Sequence, residues 1–307
     1  MIRTESLTKY FGARCAVDGF DVEISPHQIV GFLGLNGAGK TTTLRMLSGL
    51  LAPSSGRVLV EDEDLSGPQG HRARARIGFL PDRPPVYEEM TVSGYLTFAA
   101  RLRGHPGGSS RIAEVLSRTG LETYASDPIS QLSHGYRQRV GIAQAIVHDP
   151  ALVILDEPMS GLDPRQVVEM RQVVRSLGAD HTVLLSSHNL TEVGETCDQL
   201  LLIDEGRLVA QGSPGELTAR LGGTGRLAVT VVGERSAVDA VMTQLEATQA
   251  EILDPGLGAF EVELESARPA EEVARAFFEA GLGVRRLQPA TSPLEGLFAE
   301  LTKEEAA

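Results

Sequence analysis

The chain has 307 residues, 42% of them apolar, and its 28 basic and 41 acidic side chains leave a net charge of −13. That balance argues against a nonspecific nucleic-acid binder, which needs a cationic face to displace counterions. The length suits one large domain with a smaller one, and no apolar run approaches the length that spans a bilayer.

The opening residues, Met1-Ile2-Arg3-Thr4-Glu5-Ser6, lack the charged-then-apolar form of an export signal. Two cysteines, Cys15 and Cys197, make no disulfide framework. The expectation is a soluble chain in the reducing cytoplasm. Acid is unevenly placed, with 7 basic and 15 acidic residues from Leu221 onward against 21 and 26 before it. This points to a boundary near residue 220. Arg72, Arg74 and Arg76 form the densest basic cluster and read as a solvated face rather than a binding stripe.

Residues 2–7 read as a strand, and 20–24 alternate apolar and acidic as a half-exposed strand should. Between them, Lys9-Tyr10-Phe11-Gly12 puts two aromatics at a turn. Core packing competes there with the stacking of Phe11 on a flat base. Residues 29–33 read as a buried strand leading into Gly34-Leu35-Asn36-Gly37-Ala38-Gly39-Lys40-Thr41, and a helix begins at about residue 42. This stretch fits G-x-x-x-x-G-K-[ST] between a strand and a helix, the arrangement that wraps nucleotide phosphates. Glycines let the backbone turn its N–H groups inward, and the helix start adds its positive dipole end. Lys40 would reach the β/γ-phosphates and Thr41 would offer a hydroxyl to Mg²⁺.

A breaker-rich turn at 51–56 leads into a strand at 57–60, and the next strand, 77–80, is stopped by Pro81-Asp82-Arg83-Pro84-Pro85. From 91 to about 148 the pattern turns helical, an insertion between two strands of the core. Within it, Leu132-Ser133-His134-Gly135-Tyr136-Arg137-Gln138-Arg139 leads into a helix capped by Ser133, and Gly135 leaves backbone N–H groups open. That is a second anion-sized site. Residues 152–155 then form a buried strand ending in Asp156-Glu157, where the first acid suits Mg²⁺ and the second suits the attacking water. Ser160-Gly161-Leu162-Asp163-Pro164 turns into a helix, and the strand 182–186 ends in Ser187-His188. A polar side chain there faces the crevice where parallel sheets bind ligands.

These pieces in this order resemble the ATP-binding subunit of an ABC (ATP-binding cassette) transporter. The resemblance covers residues 1–220 and places a helical subdomain at about 88–148. It implies an α/β P-loop NTPase cassette with a mixed sheet core, a small antiparallel β subdomain and an inserted helical subdomain. It also implies that Phe11 stacks on adenine and that Gly34, Asn36, Gly37, Ala38, Gly39, Lys40, Thr41 and Thr42 hold the phosphates. Thr41, Asp156 and Asp82 would hold Mg²⁺, and Glu157, His188 and Lys40 would carry catalysis. Ser133 and Gly135 of the signature and Asp163 of the D-loop would meet the ATP of a second cassette. Two chains, identical or related, would thus close on two ATPs and drive an integral membrane permease from the inner face of the cell membrane. No nucleic acid is expected as partner.

Three positions depart from the family pattern. Asp82 stands for the usual glutamine of the Q-loop, His134 for the first glycine of the signature and Tyr136 for its usual glutamine. The phrases around Asp82 and Ser133 look closest to the gliding-motility and type 2 exporter branch, so export is the expected direction. The alternatives are a soluble ATPase of this class acting on ribosomes or DNA, or a regulatory ATPase with the tail as sensor. A single phosphate loop, no heptad stretch and an acidic chain argue against the first.

The tail, 221–307, reads as strand 227–232, helix 236–247, strand 259–264, helix 269–280 and strand 284–287. Counting 251–253 as a strand makes βαββαβ, a ferredoxin-like unit. Residues 292–301 read as an amphipathic helix, and no catalytic constellation stands out. A dimer-stabilising appendage and a sensor module both remain open.

Overall fold

The computed structural model describes residues 2–220, 225–245, 249–254, 258–266 and 270–289; the helix expected at 292–301 lies outside them. The chain divides into two compact units, Met1–Pro214 and Gly215–Ala307.

The first unit begins with β1 (Ile2–Phe11), β2 (Arg14–Phe20), β3 (Glu23–Ile24) and β4 (Ile29–Leu33), followed by α1 (Lys40–Leu47). Next come β5 (Ser55–Val60), β6 (Glu63–Asp64), α2 (Gly70–Ala75) and β7 (Ile77–Leu80). The helical stretch holds α3 (Val92–Leu102), α4 (Ser109–Thr119), two short 3-10 turns and α5 (His134–Ile146). Then follow β8 (Leu152–Leu155), α6 (Pro164–Leu177), β9 (Thr182–Ser187), α7 (Leu190–Thr196), β10 (Gln199–Asp204) and β11 (Arg207–Gly212).

Two sheets result. Strands β2, β1, β5 and β6 lie side by side in that order, all antiparallel, with β3 also paired to β1. The larger sheet runs β11-β10-β4-β9-β8-β7, parallel throughout except where β11 turns back on β10. Its central strands are apolar on both faces, and every residue of β4 and β8 is buried. That is what a parallel sheet covered on both sides requires. The expected strand 20–24 is broken: Phe20 ends β2, and only Glu23 and Ile24 resume pairing. The in-out alternation survives the break, since Phe20, Val22 and Ile24 are buried while Asp21 and Glu23 are exposed.

One core joins the sheets, with Phe20 stacked on Phe32 at 6.1 Å among Leu7, Leu44, Met46 and Ile154. On the sheet's other edge, α5 packs directly against β7. Gly78 permits that approach, because a Cβ there would run into the Ala145 carbonyl oxygen.

The second unit contains α8 (Pro214–Arg220), β12 (Gly225–Val232), α9 (Arg235–Leu245), β13 (Gln249–Asp254), β14 (Ala259–Ser266), α10 (Ala270–Glu279) and β15 (Gly283–Pro289). After α8 the succession is βαββαβ, in an antiparallel sheet of order β13-β14-β12-β15. Val229, Val231, Phe260 and Val262 on one sheet face meet Val238, Val241, Val273 and Phe277 of the helices.

Candidate active site

Three neighbouring parallel strands, β4, β9 and β8, end at one edge of the large sheet, and the ionisable residues follow their last positions. The segment after β4 is the glycine loop. Gly37 and Gly39 take positive φ of 92° and 101°, where a side chain would be strained. A Cβ on Gly39 would sit 2.6 Å from the Ala16 carbonyl oxygen, and one on Gly34 would collide with the Ile203 carbonyl. The loop is therefore clamped between β2 and the end of β10 by glycines that no other residue can replace.

Lys40 opens α1 and is nearly fully buried. Its Nζ donates to the carbonyl oxygens of Gly34 at 2.6 Å and Leu35 at 3.3 Å and lies 3.8 Å from Glu157 Oε1. Burial pushes the ammonium's pKa down from its ordinary value, and the carboxylates of Glu157 and Asp156 oppose that shift.

Asp156, 1% exposed, follows β8. Its Oδ1 accepts from Thr41 Oγ1 at 3.2 Å and from Ser186 Oγ at 2.7 Å. Ser186 in turn accepts the backbone N–H of Glu157 at 2.8 Å. Glu157 is held at φ 51°, a left-handed conformation uncommon for a non-glycine residue and characteristic of functional sites. Its Oε2 accepts from Nδ1 of His188 at 3.0 Å, which orients that ring. His188 is itself 58% exposed, at the mouth of the site.

A cleft of about 630 Å³ unites Phe11, Asn36, Gly37, Gly39, Lys40, Thr41, Thr42, Asp82, Asp156, Glu157 and His188. Gly34 and Ala38 belong to the same loop behind it. Phe11, 52% exposed, ends β1 with Lys9 Nζ 5.4 Å from its ring centroid. An aromatic left this exposed is not filling the core, so the packing alternative for Phe11 fails. Asp82 hangs on the loop after β7, and its carbonyl accepts from Gln138 Nε2 at 3.1 Å, tying that loop to α5.

Ser133, Gly135 and Asp163 are not in this cleft. Ser133 caps α5 by accepting from Tyr136 N at 3.4 Å, and Asp163 caps α6 by accepting from Gln166 N at 2.9 Å. Gly135 and Asp163 line a separate hollow of about 340 Å³ between those helices. Gly135 also has a packing reason, because a Cβ there would come 2.6 Å from Gln166 Oε1. His134 Nε2 lies 3.2 Å from the Ser160 carbonyl, which ties the start of α5 to the turn before α6. Sequence reasoning missed Ser186, Gln138 and Arg14. Ser186 and Arg14 sit inside strands and carry no motif, while Gln138 lies in the signature stretch without a role assigned to it there.

The ABC transporter family model matches residues 17–160. Beyond it, the chain is 39% identical over 220 residues to the Nod factor export ATP-binding protein I of Ralstonia nicotianae, covering 71% of this chain and 68% of that one. It is 32% identical over 310 residues to the linearmycin resistance ATP-binding protein LnrL of Bacillus subtilis, covering 98% of both. The chain belongs to the ABC transporter ATP-binding proteins. It is an ATP-binding subunit and an ATPase, with the P-loop cassette fold. A solved ATP-binding subunit of an ABC transporter superposes with a TM-score of 0.63 at 28% identity, over 72% of this chain and 93% of that one. The match to LnrL, over 98% of this ABC protein, takes in the second unit as well. No helix among its described residues is long and apolar enough to cross a membrane.

Proposed function

We propose that two copies of this cassette, or one copy and a related chain, close around two ATPs and drive a separate membrane permease for export. The observation that carries the reading is the convergence of Lys40, Asp156, Glu157 and His188 at the ends of three neighbouring strands, beside an exposed Phe11. The separate hollow at Gly135 and Asp163 supports the two-chain arrangement, because a helix N-terminus favours an anion and this one lies apart from the chain's own glycine loop. Residues 1–220 form the ATP-binding domain in this reading, with the helical subdomain at about 88–148, and 221–307 form an accessory domain. The relatives named for export of Nod factor and for linearmycin resistance support an exporter at the inner face of the membrane.

Each side chain has a part in hydrolysis. Phe11 takes the adenine face, and the loop N–H groups with Thr42 take the phosphates. Lys40, already desolvated, exchanges its carbonyl partners for the β/γ-phosphates, against which it places its charge. Glu157, tilted by its backbone and hydrogen-bonded to His188, orients and deprotonates the attacking water.

Thr41 and Asp156 fit Mg²⁺. Both hydroxyl partners of Asp156 use Oδ1, so Oδ2 carries no hydrogen bond among the described residues. One carboxylate, one hydroxyl and substrate oxygens make the set this ion accepts, with Asp82 at the cleft wall beside them. When bound, the ion neutralises charge on the β- and γ-oxygens.

The test is steady-state ATPase. Glu157→Gln and Lys40→Ala should each lower turnover by at least about 10²-fold. Activity within about twofold of wild type in either variant would sink this mechanism. Affinity purification of Glu157→Gln from gently solubilised membranes of the native cell should bring down a multi-span membrane protein in near-equal amount. Ribosomal or DNA-associated partners instead would replace the transporter reading by a soluble one.

A further inference from the structure

The cleft is electrically balanced before any nucleotide enters. Three cations, Arg14, Lys40 and Arg45, share its walls with three carboxylates, Asp82, Asp156 and Glu157. Lys40 already faces Glu157 and two carbonyl oxygens. An incoming polyphosphate therefore depends on the remaining guanidiniums for attraction, all the more because Asp82 adds a third carboxylate to the walls.

Arg14 is the better placed of the two. It is the cross-strand partner of Phe11 in the β1–β2 hairpin, so both side chains leave the same face. Its Nη2 reaches to 3.9 Å from where a Cβ of Gly37 would stand, above the glycine loop. Among the described residues it forms neither an ion pair nor a side-chain hydrogen bond, which leaves its five donors free. A nucleotide whose base lies on Phe11 and whose phosphates lie in the loop passes directly beneath this guanidinium.

We propose that Arg14 binds the polyphosphate chain of ATP as a second cation beside Lys40, offsetting the charge that Asp82 brings to the cleft. The proposal rests on the ATP-binding reading above. It is specific to phosphate: the base and ribose gain nothing from it.

Calorimetric titration of the full chain with ATP, ADP and adenosine tests it. Arg14→Gln should weaken ATP about tenfold at low salt, a loss of the size expected for one charge-assisted contact. The loss should shrink as salt rises, and adenosine should be unaffected. Arg14→Lys should recover part of the affinity, and adding Asp82→Asn to Arg14→Gln should recover more. Unchanged ATP affinity in Arg14→Gln, or an equal loss for adenosine, overturns the proposal. A wild-type chain that binds no ATP fails the underlying reading instead, so the two failures are distinguishable.

Discussion

Ser186 has the most to lose from a single-atom change. Its hydroxyl is fully buried and joins Asp156 to the backbone N–H of Glu157, orienting both acids at once. Ser186→Ala leaves a buried N–H and part of a buried carboxylate without partners, a cost of about 1–3 kcal/mol. It should also lower ATPase activity about 10–100-fold, as loss of an outer-shell partner does. Urea unfolding and turnover measured on the same preparation check both. Asp82→Gln should leave ATP affinity unchanged or raise it, since it removes a negative charge from the cleft; a large loss of affinity would show that Asp82 itself holds the nucleotide or its cation. The motif residues Lys40, Thr41, Asp156, Glu157 and His188 were legible because each belongs to a spaced pattern ending a strand. Ser186 was not, since a serine inside a buried strand has no signature until its neighbours across the sheet are known. Arg14 was equally silent: its meaning comes from a hairpin that sets it opposite Phe11.

At the scale of elements, the glycine loop depends on what it is pressed against. Gly34→Ala places a methyl group in the Ile203 carbonyl at the end of β10. This should destabilise the protein by about 1–3 kcal/mol through overpacking and weaken ATP binding, whereas Gly108→Ala, where nothing lies within 4 Å and φ is negative, should leave the ATP affinity alone. Comparing melting temperature and ATP affinity of the two variants checks this. Strands β4, β7, β8 and β9 were legible from short apolar runs bounded by breakers. The strands β10 and β11 are not legible in the same way, because a buried run such as Leu200-Leu201-Leu202-Ile203 has no period that separates strand from helix. The elements β6 and α2, with 2 and 6 residues, are too short for any periodicity to register. Of the three arginines around α2, Arg74 donates to the Leu65 carbonyl and Arg76 pairs with Glu61, so this cluster has structural partners.

At the scale of the whole molecule, the acid limit of the first unit is set in part by His148. Both its ring nitrogens are buried, with the Ile77 backbone nearby but no partner in good hydrogen-bond geometry among the described residues. Burial, then the nearby Arg103 guanidinium, lowers its pKa from 6.5 to about 4. The unfolded chain therefore binds a proton that the folded chain refuses between those values. The resulting stability is complete above 6.5 and is lost as pH falls through 6.5 toward about 4. His148→Leu should flatten that part of the stability profile in scanning calorimetry; an unchanged slope would place the acid sensitivity elsewhere. The second unit's βαββαβ succession was legible from alternation along β12 and β14. Its use was not, because fold alone does not name a function.

Sedimentation of the purified Glu157→Gln chain decides whether ATP closes two such cassettes on each other. This variant keeps the loop, Lys40 and Asp156 but lacks the carboxylate that activates water, so bound ATP should persist. ATP should shift it from monomer to dimer, ADP should not, and changing Gly135 to glutamate as well should abolish the shift. A chain that binds ATP yet stays monomeric at saturating nucleotide would contradict that closure.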